Sequence, residues 1–282
     1  MSEDKNKRKK SRMEQSIKKY KKIKKTSKNN RFKKIVLNIF LIAFILGIAI
    51  STYEIVDWFK NNKKNSEVIN SINNVVKITR EDNIIKYDLD FDELKKINPN
   101  TIGWLKVNGT DVEYPVVQAE DNYFYLNHSF NKEYNPAGWI FADCANNFED
   151  NNDKNTVIYG HNRRDGSMFC TLKDVLNKEW YEKEENRKII FVTEEEQSMY
   201  ETFSVYEIEE ELYYLKTTFG SDKEYENFLN TIKTRSNVDF GVNLSSEDEI
   251  LTLSTCANNN KYRVVLHAKK ILNTDLQNIP KE

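Results

Sequence analysis

Three residues whose side chains suit acyl-transfer chemistry lie in or just beyond apolar runs of this chain. The run TLSTC ends at Cys256, the run TVIYGHN contains His161, and Arg263 follows seven residues after the cysteine within another apolar run. A cysteine thiolate is a nucleophile, a histidine exchanges protons near neutral pH, and a guanidinium stays positively charged. If these runs are strands of one sheet, the three residues predict an acyl-transfer centre with a cysteine nucleophile.

Each of these residues also has a simpler interpretation. A cysteine at a strand end is often a small buried apolar residue, and a single histidine or arginine on a strand is often structural. Unperturbed, a thiol titrates near pH 8.5 and an imidazole near pH 6.5, so only about 1% of such pairs would be thiolate and imidazolium. Either the site shifts these pKa values, or the enzyme works slowly through the minor ionised form.

Short strands are predicted for the part of the chain that would position these residues. From residue 101 onward, β-branched and aromatic runs alternate with Gly, Asn and Asp, which is typical of strands separated by turns. Eight strands with few helices between them predict an antiparallel barrel rather than a parallel α/β sheet. The predicted strands are 102–107, 112–117, 138–142, 156–159, 188–192, 200–208, 249–255 and 262–271.

Helices are predicted before the barrel and in three places within it. Residues 66–82 carry apolar side chains at roughly helical spacing, and residues 90–97 form a second helix capped by Asp90 or Asp92. These two would pack beside the main domain. The predicted helices within the barrel are 121–126, 167–176 and 222–234.

The charge of the chain is divided unevenly. Residues 1–34 hold sixteen Lys or Arg against three acidic residues, a net charge of +13, so residues 35–282 carry −14 of the total of −1. A solvated, disordered tail is expected, and each Lys or Arg near an anionic membrane contributes about 1 kcal/mol of attraction. The predicted partner of the tail is therefore membrane lipid. Nucleic acid is not an expected partner, because an apolar segment adjoins the tail.

That apolar segment, residues 35–56, is long enough to cross a bilayer, which requires about 20 residues. The dense positive charge before it predicts a cytoplasmic N-terminus and an extracellular body, a single-pass type II orientation. A cleaved signal peptide is the alternative, since Ala49-Ile50-Ser51 would suit a peptidase, but its apolar region usually runs to only about 7–15 residues. The predicted domains are a basic cytoplasmic tail (1–34), a transmembrane signal-anchor helix (35–56), a stalk with an N-terminal helix (57–89) and a catalytic domain (90–282).

No cofactor is expected. The chain has three cysteines, so at least one thiol stays unpaired in an exported domain. Free thiols are expected at Cys144 and Cys170. The acidic cluster between residues 143 and 153 lacks the glycine and terminal glutamate of an EF-hand, so it predicts a loop rather than a calcium site.

The motifs together resemble those of class B sortases, the cysteine transpeptidases that attach proteins to the Gram-positive cell wall. The resemblance spans roughly residues 90–270 and rests on TLSTC with its following arginine, on TVIYGHN followed by DGSMF, and on NYFYLNH and GWIFAD. It implies a mostly β fold, namely a closed eight-stranded barrel with N-terminal helices, preceded by one transmembrane helix. Helix 222–234 matches the helix that class B members add between late strands.

The resemblance also implies a reaction. Cys256 would attack the carbonyl that follows a threonine in a C-terminal sorting signal, and His161 would protonate the departing amine. Arg263 would hold the substrate carbonyl or stabilise the oxyanion, while Ser254 and Thr255 would line the peptide groove. The implied partners are surface proteins that bear sorting signals and a peptidoglycan precursor whose amine resolves the thioester.

The segment between residues 207 and 244 is expected to shape part of that groove. Its four glutamates would favour a basic substrate residue; they are Glu207, Glu209, Glu210 and Glu211. The other two histidines are expected to be structural, because His128 follows an aromatic stretch and His267 stands about 13 Å along a strand from Arg263.

Two alternatives to the sortase interpretation follow from the same residues. An L,D-transpeptidase places a histidine-glycine motif close before its cysteine, whereas His161 and Cys256 are 95 residues apart. A membrane-anchored binding or pilus-associated barrel would keep the fold without catalysis. Such a module would have no need of a cysteine, a histidine and an arginine together.

Overall fold

The computed structural model describes residues 2–73, 75–81, 84–148, 153–209, 211–257 and 261–271. For residues 2–11, 27, 29, 30, 78–81, 84, 85, 256 and 257, the description covers the backbone alone. The chain forms two compact units, which meet in sequence between Lys60 and Asn61.

One long helix, α1, spans Ser2–Asn73 and belongs to the first unit up to Lys60. The expectation of a disordered basic tail was therefore wrong, since the backbone is helical from Ser2 and the many Lys residues of the tail are good helix formers. The most apolar stretch of this helix has a mean hydropathy of 2.6, and none of that stretch is buried. Its apolar side chains, among them Phe40 and Phe44, are exposed. The helix therefore has the length and composition that crossing a membrane requires.

A β-hairpin follows α1 in the second unit. Strand β1 (Val76–Glu81) pairs antiparallel with β2 (Ile84–Leu89). The prediction of a helix over 66–82 was therefore wrong after Asn73, where α1 ends. The reason is local, since the VVKIT sequence is rich in β-branched residues, which favour strands over helices.

The second predicted helix is present as α2 (Phe91–Ile97). Asp90 is its N-cap, and the Asp90 carboxylate accepts a 2.9 Å hydrogen bond from the backbone N–H of Glu93. Such a cap satisfies a backbone donor that has no partner within the helix. Phe91 and Leu94 of α2 are buried in the core of the second unit.

Eight strands close into a barrel, as the sequence predicts. Their order around the barrel is β10-β8-β7-β3-β4-β5-β6-β9. The strands are β3 (Thr101–Val107), β4 (Glu113–Val117), β5 (Phe141–Ala142), β6 (Asn155–Gly160), β7 (Lys188–Val192), β8 (Gln197–Glu209), β9 (Ile250–Ala257) and β10 (Tyr262–Ile271).

The barrel is not wholly antiparallel, and that part of the prediction was wrong. Strand β4 pairs parallel with β5, and β6 pairs parallel with β9. Parallel neighbours need long connections, and residues 118–140 and 161–249 provide them. The alternation of residues within a strand reports which side is buried but carries no information on the direction of its neighbour.

The helices within the barrel are shorter than predicted, except the last. Instead of helices over 121–126 and 167–176, the structure has 3₁₀ turns at Phe124–Leu126 and Cys170–Leu176. A short helix, α3 (Lys178–Tyr181), follows the second turn. Between β8 and β9 lies α4 (Asp222–Arg235), close to its predicted bounds.

Two apolar clusters form the core of the second unit. The larger fills the barrel and also includes Ile72 of α1 and Leu94 of α2. The smaller lies beneath α4, where Phe228 and Ile232 pack with Tyr206 and Val265 of the barrel strands. Helix α4 therefore covers one side of the same strands that carry the candidate site.

Candidate active site

The parallel pairing of β6 and β9 brings two of the predicted residues to the same end of the barrel. Gly160 is the partner of Thr255 in this pair, and the Thr255 hydroxyl donates a 2.6 Å hydrogen bond to the Gly160 carbonyl. His161 directly follows Gly160, and Cys256 directly follows Thr255. The backbones of the histidine and the cysteine therefore leave this pair side by side.

Arg263 joins them through the antiparallel pairing of β9 and β10. It stands opposite Cys256 on β9 and opposite Ile208 on β8. The arginine is partly buried and lines the same cleft as His161. The side chain of Cys256 lies outside the described part of the structure, so its position is known from the register of β9 alone.

A single hydrogen bond fixes the orientation of His161. Its Nε2 lies 2.8 Å from the backbone carbonyl of Leu126, and a carbonyl only accepts, so Nε2 carries the proton in the neutral ring. Nδ1 is then the nitrogen with the free lone pair. The tautomer therefore follows from the Leu126 carbonyl, and Nδ1 is the ring nitrogen that can accept a proton.

Gly138 lies against the His161 ring at Cδ2. Its φ is +60°, and an added Cβ would stand 2.8 Å from Cδ2 of His161 and 2.9 Å from the Leu126 carbonyl oxygen. Real Cβ atoms do not approach other atoms so closely. Only glycine fits this position, because both its backbone conformation and its surroundings exclude a side chain.

The surroundings lower the pKa of His161 below its ordinary value. Burial of the ring is the main cause, and the positive charges of Arg163 and Arg263 lower the pKa further. The hydrogen bond to Leu126 acts in the opposite direction. The neutral imidazole is therefore the favoured form of His161 at neutral pH.

A cleft of about 310 Å³ opens beside these residues. Tyr123 and Leu212 form an apolar rim and remain 76% and 72% exposed. The lining residues are Asn122, Tyr123, Leu126, Phe141, Tyr159, Gly160, His161, Glu211, Leu212, Tyr214, Leu215, Ser254, Thr255 and Arg263. A largely apolar cleft with a few polar groups is the usual form of a binding site for a peptide or small molecule.

The cleft includes both residues predicted to line a peptide groove. Ser254 and Thr255 are buried, and the Ser254 hydroxyl lies 3.0 Å from the phenol oxygen of Tyr214. Of the glutamates predicted to favour a basic residue, only Glu211 lines the cleft among those described, and it pairs with Arg235 at 3.4 Å. Glu210 lies outside the described residues.

A buried carboxylate that the sequence did not point to organises one wall of the cleft. Asp143 accepts a 2.6 Å hydrogen bond from the Tyr159 phenol and a 3.0 Å bond from the Asn122 amide. Burial and the neighbouring carboxylate raise the pKa of Tyr159, so the phenol keeps its proton. Asp143 stands in a polar loop, and its partners are distant in sequence, so no local pattern indicates this role.

The remaining histidines lie away from the cleft lining. His267 is fully buried; its Nδ1 is 2.8 Å from the Thr252 hydroxyl, and its Nε2 is 2.9 Å from the Tyr206 phenol. His128 stacks on Phe124 with ring centroids 4.0 Å apart. Both contact sets are those of residues that support packing.

The two other cysteines carry free thiols. Cys144 is exposed and Cys170 is partly buried. In the acidic loop, Asp153 accepts hydrogen bonds from the side-chain amide of Asn146 and from the backbone N–H of Asn147. Glu149 and Asp150 lie outside the described residues.

The sortase-domain model matches residues 105–271, more than half of the chain, and the chain belongs to the sortase family of cysteine transpeptidases. Sortase B of Listeria monocytogenes is 38% identical over 184 residues, which cover 64% of this chain and 73% of that protein. Sortase B of Staphylococcus aureus is 33% identical over 220 residues, which cover 78% and 89%. The class B resemblance of the sequence is thereby confirmed.

Solved structures of sortase B enzymes are also similar to this chain. Clostridium perfringens sortase B has a TM-score of 0.61 at 39% identity, covering 65% of this chain and all of that one. The Staphylococcus aureus sortase B–substrate complex has a TM-score of 0.60 at 36% identity, covering 65% and 85%. A sortase B complexed with triglycine has the same score and identity, covering 65% and 86%. The closed barrel described above is the fold of these enzymes.

Proposed function

We propose that this protein cleaves a C-terminal sorting signal after threonine and transfers the freed carboxyl group to an amine of a cell-wall precursor. The parallel register of β6 and β9 carries the proposal, because it supports a joint role for His161 and Cys256 beside a cleft. The staphylococcal substrate complex and the triglycine complex of related enzymes support the two substrate classes.

In the first half of the reaction, the Cys256 thiolate attacks the carbonyl carbon of the threonine residue. The carbonyl oxygen becomes an oxyanion, which Arg263 stabilises with its fixed positive charge and its donors. The intermediate collapses when the C–N bond breaks, and the imidazolium of His161 gives its proton to the departing amine. The products are a thioester on Cys256 and the released C-terminal peptide.

In the second half, an amine of the cell-wall precursor attacks the thioester. Neutral His161 accepts a proton from this amine through Nδ1, and Arg263 again stabilises the oxyanion. Collapse of the intermediate forms the new amide bond and releases the Cys256 thiolate. The apolar rim at Tyr123 and Leu212 suits the exclusion of water, which competes with the amine for the thioester.

The lowered pKa of His161 helps to choose between two alternatives, a site that shifts its pKa values toward the ion pair and an enzyme that works through the minor ionised form. The reaction begins with an imidazolium and a thiolate, and a lower histidine pKa makes that pair rarer at neutral pH. We therefore infer that the enzyme works through the minor ionised form. This ionisation supports slow turnover and a thiol that is sparingly reactive without substrate.

The N-terminal segments give the enzyme its location. We propose that residues 35–56 cross the membrane, that the basic residues 1–34 lie on the cytoplasmic face against anionic lipid, and that the stalk (57–89) carries the catalytic domain (90–282) outside. The exposed apolar helix and the distribution of charge support this arrangement. The domain then faces the compartment in which cell-wall precursors and exported surface proteins meet.

Intact-mass measurement tests the proposal directly. The full-length protein in detergent micelles, incubated with pooled sorting-signal peptides and no added amine, gains the mass of an acyl group, whereas its Cys256→Ala variant does not. Addition of triglycine then removes the adduct and yields a peptide–triglycine conjugate. If neither an adduct nor Cys256-dependent cleavage forms across a broad pool, the protein is the non-catalytic barrel module instead.

A further inference from the structure

Two loops flank His161, one against its ring and one directly after it in sequence, and they are bound to consecutive residues of α1. The first loop, residues 127–138, follows Leu126, whose carbonyl accepts the His161 hydrogen bond, and ends at Gly138, which abuts the ring. The second loop, residues 162–168, directly follows the histidine.

Asn135 binds the first loop to α1. It is fully buried, and its side-chain amide donates a 3.1 Å hydrogen bond to the backbone carbonyl of Asn61. The backbone of Asn135 also spans the loop, since its N–H donates to the Asn127 carbonyl and its carbonyl accepts from the Gly138 N–H, both at 2.9 Å. The position of Gly138 against the ring therefore depends on a residue that is itself held by α1.

Arg163 binds the second loop to the next residue of α1. Its Nη2 donates a 2.6 Å hydrogen bond to the side-chain oxygen of Asn62. The same guanidinium pairs with Asp165 at 2.9 Å, and both side chains of this pair are largely buried, at 12% and 15% exposed. Asp165 in turn accepts hydrogen bonds from the backbone and the hydroxyl of Ser167. The loop is therefore rigid, and Asn62 is its link to the helix.

We propose that Asn62 is a positioning residue for His161, because the Asn61–Asn62 turn of α1 sets the separation of the two loops that hold the ring. The inference rests on the proposed role of His161 as acid and base. Pairing of β6 with β9 fixes the backbone of His161, but the position of its ring also depends on the Leu126 carbonyl and on Gly138. Attachment of both flanking loops to one helical turn holds these groups in place, and catalysis depends steeply on the position of the ring.

The residues of α1 that make these contacts belong to the second unit. They follow the apolar segment 35–56 along the same helix. The helix that leads to the proposed membrane anchor thus also holds the proposed acid–base residue. A purely structural role for this turn predicts lost stability, whereas a positioning role predicts lost turnover at unchanged stability.

The test uses three variants of the full-length protein in detergent micelles. Asn62→Leu removes the acceptor for Arg163 at similar volume, Asn62→Asp keeps an acceptor oxygen, and Lys63→Ala is the control on the same turn, where the side chain is 80% exposed. We expect Asn62→Leu to lower kcat for acylation roughly three- to tenfold, because even a small displacement of an acid–base group lowers the rate. KM, Tm and the activities of the other two variants should stay close to wild type.

Ring spectra of the three histidines, recorded on histidine-labelled protein, give a readout that needs no substrate. The His161 ring resonances should shift and broaden in Asn62→Leu and stay unchanged in Lys63→Ala. Unchanged His161 resonances in Asn62→Leu would overturn the proposal. So would a loss of activity that follows Tm and is not restored by aspartate.

Different results would contradict the proposed function and the positioning role of Asn62. Absence of turnover in the wild-type protein contradicts the proposed function, and the ring spectra then decide on Asn62 alone. If Asn62→Leu does not fold, Asn62→Ala removes the same acceptor with a smaller side chain and leaves Arg163, whose charge acts on the His161 pKa, in place. The same loss of kcat with the same His161 spectral change is then expected, and a wild-type kcat or spectrum overturns the proposal.

Discussion

Gly138 shows how little space surrounds the proposed acid–base residue. An added methyl group would meet the His161 ring and the Leu126 carbonyl that orients it. Substitution at this position therefore acts on the ring and on the hydrogen bond of the ring at once. Since the φ of Gly138 is also positive, the cost of backbone strain has to be separated from the effect on the histidine.

Gly138→Ala is therefore compared with Gly241→Ala. Gly241 has a φ of +73° and nothing within 4 Å of an added Cβ, so it carries the backbone strain without the clash. Both variants should lose about 1–2 kcal/mol of unfolding free energy from the left-handed backbone, and Gly138→Ala should lose more, because its Cβ would also stand 2.6 Å from the Tyr125 carbonyl oxygen. Only Gly138→Ala should also lose at least about tenfold in kcat/KM, because the ring is displaced. Equal activities in the two variants would show that the contact with His161 is unimportant.

Asp143 acts on the cleft through the residues that it holds. Tyr159→Phe removes the phenol that donates to Asp143, and a hydrogen bond to a charged group is worth about 1.5–3 kcal/mol. We expect the unfolding free energy to fall by about that amount in Tyr159→Phe and by more in Asp143→Ala, which also removes the acceptor for the Asn122 amide. The double variant should lose clearly less than the sum, because both changes remove one interaction.

Chemical denaturation of the four proteins measures this coupling. Tyr123→Phe, at an exposed tyrosine on the same cleft, is the control and should leave the stability unchanged. Additive losses in the double variant would mean that the tyrosine and the aspartate stabilise the fold independently.

At the scale of elements, α4 supports the site from behind. Ile232 of this helix is fully buried in the cluster that also contains Tyr214, a cleft-lining residue. We expect Ile232→Ala to lower the unfolding free energy by about 2–5 kcal/mol, the range for such a core deletion. Thr231→Ala, at an exposed position on the same turn, should change it by less than about 0.5 kcal/mol. Thermal denaturation measures the stability of both variants. Equal losses would show that burial of Ile232 does not stabilise the packing of α4.

The sequence predicts the elements of the barrel better than their arrangement. Runs of β-branched and aromatic residues place β7 and β10 at the observed bounds, because the side chains along one strand are local information. The β1–β2 hairpin was missed because its first strand continues the apolar spacing of α1. The parallel neighbours of β4 and β6 were missed because pairing direction depends on long connections.

Residue types predicted the members of the candidate site better than they predicted the fold. His161, Cys256 and Arg263 were chosen from their chemistry and context, and the strand register brings their backbones to one end of the barrel. Their catalytic roles stay predictions until the tests above are made. The supporting contacts of Asp143 and Asn62 join residues far apart in the chain, and no single stretch of sequence contains both members of either contact.

For the whole molecule, a buried histidine links stability to pH. Burial lowers the pKa of His267 from 6.5 to about 3 in the folded protein. The unfolded chain therefore binds a proton at a pH where the folded protein does not. The stabilisation from neutral His267 is fully present above pH 6.5 and is lost as the pH falls from 6.5 toward 3, at about 1.4 kcal/mol per pH unit.

His267→Gln isolates this contribution, since glutamine does not titrate. The wild-type protein should be more stable than the variant at pH 7.5, and the difference should shrink steadily between pH 6.5 and pH 4.5. Carboxylate titration affects both proteins alike and cancels in the difference. Denaturant midpoints measured across this range test the prediction, and a difference that is constant with pH would contradict it.

The parallel neighbours β6 and β9 also determine when the protein becomes an enzyme. The chain is synthesised from its N-terminus, so β6 with His161 emerges before β9 and β10 bring Cys256 and Arg263. Strand β9 lies between β6 and β10 in the closed barrel. Until β9 pairs with β6, the backbone of Cys256 does not lie beside that of His161. If the two residues act together as proposed, activity requires this pairing, and a chain that lacks β9 and β10 should leave its substrates intact.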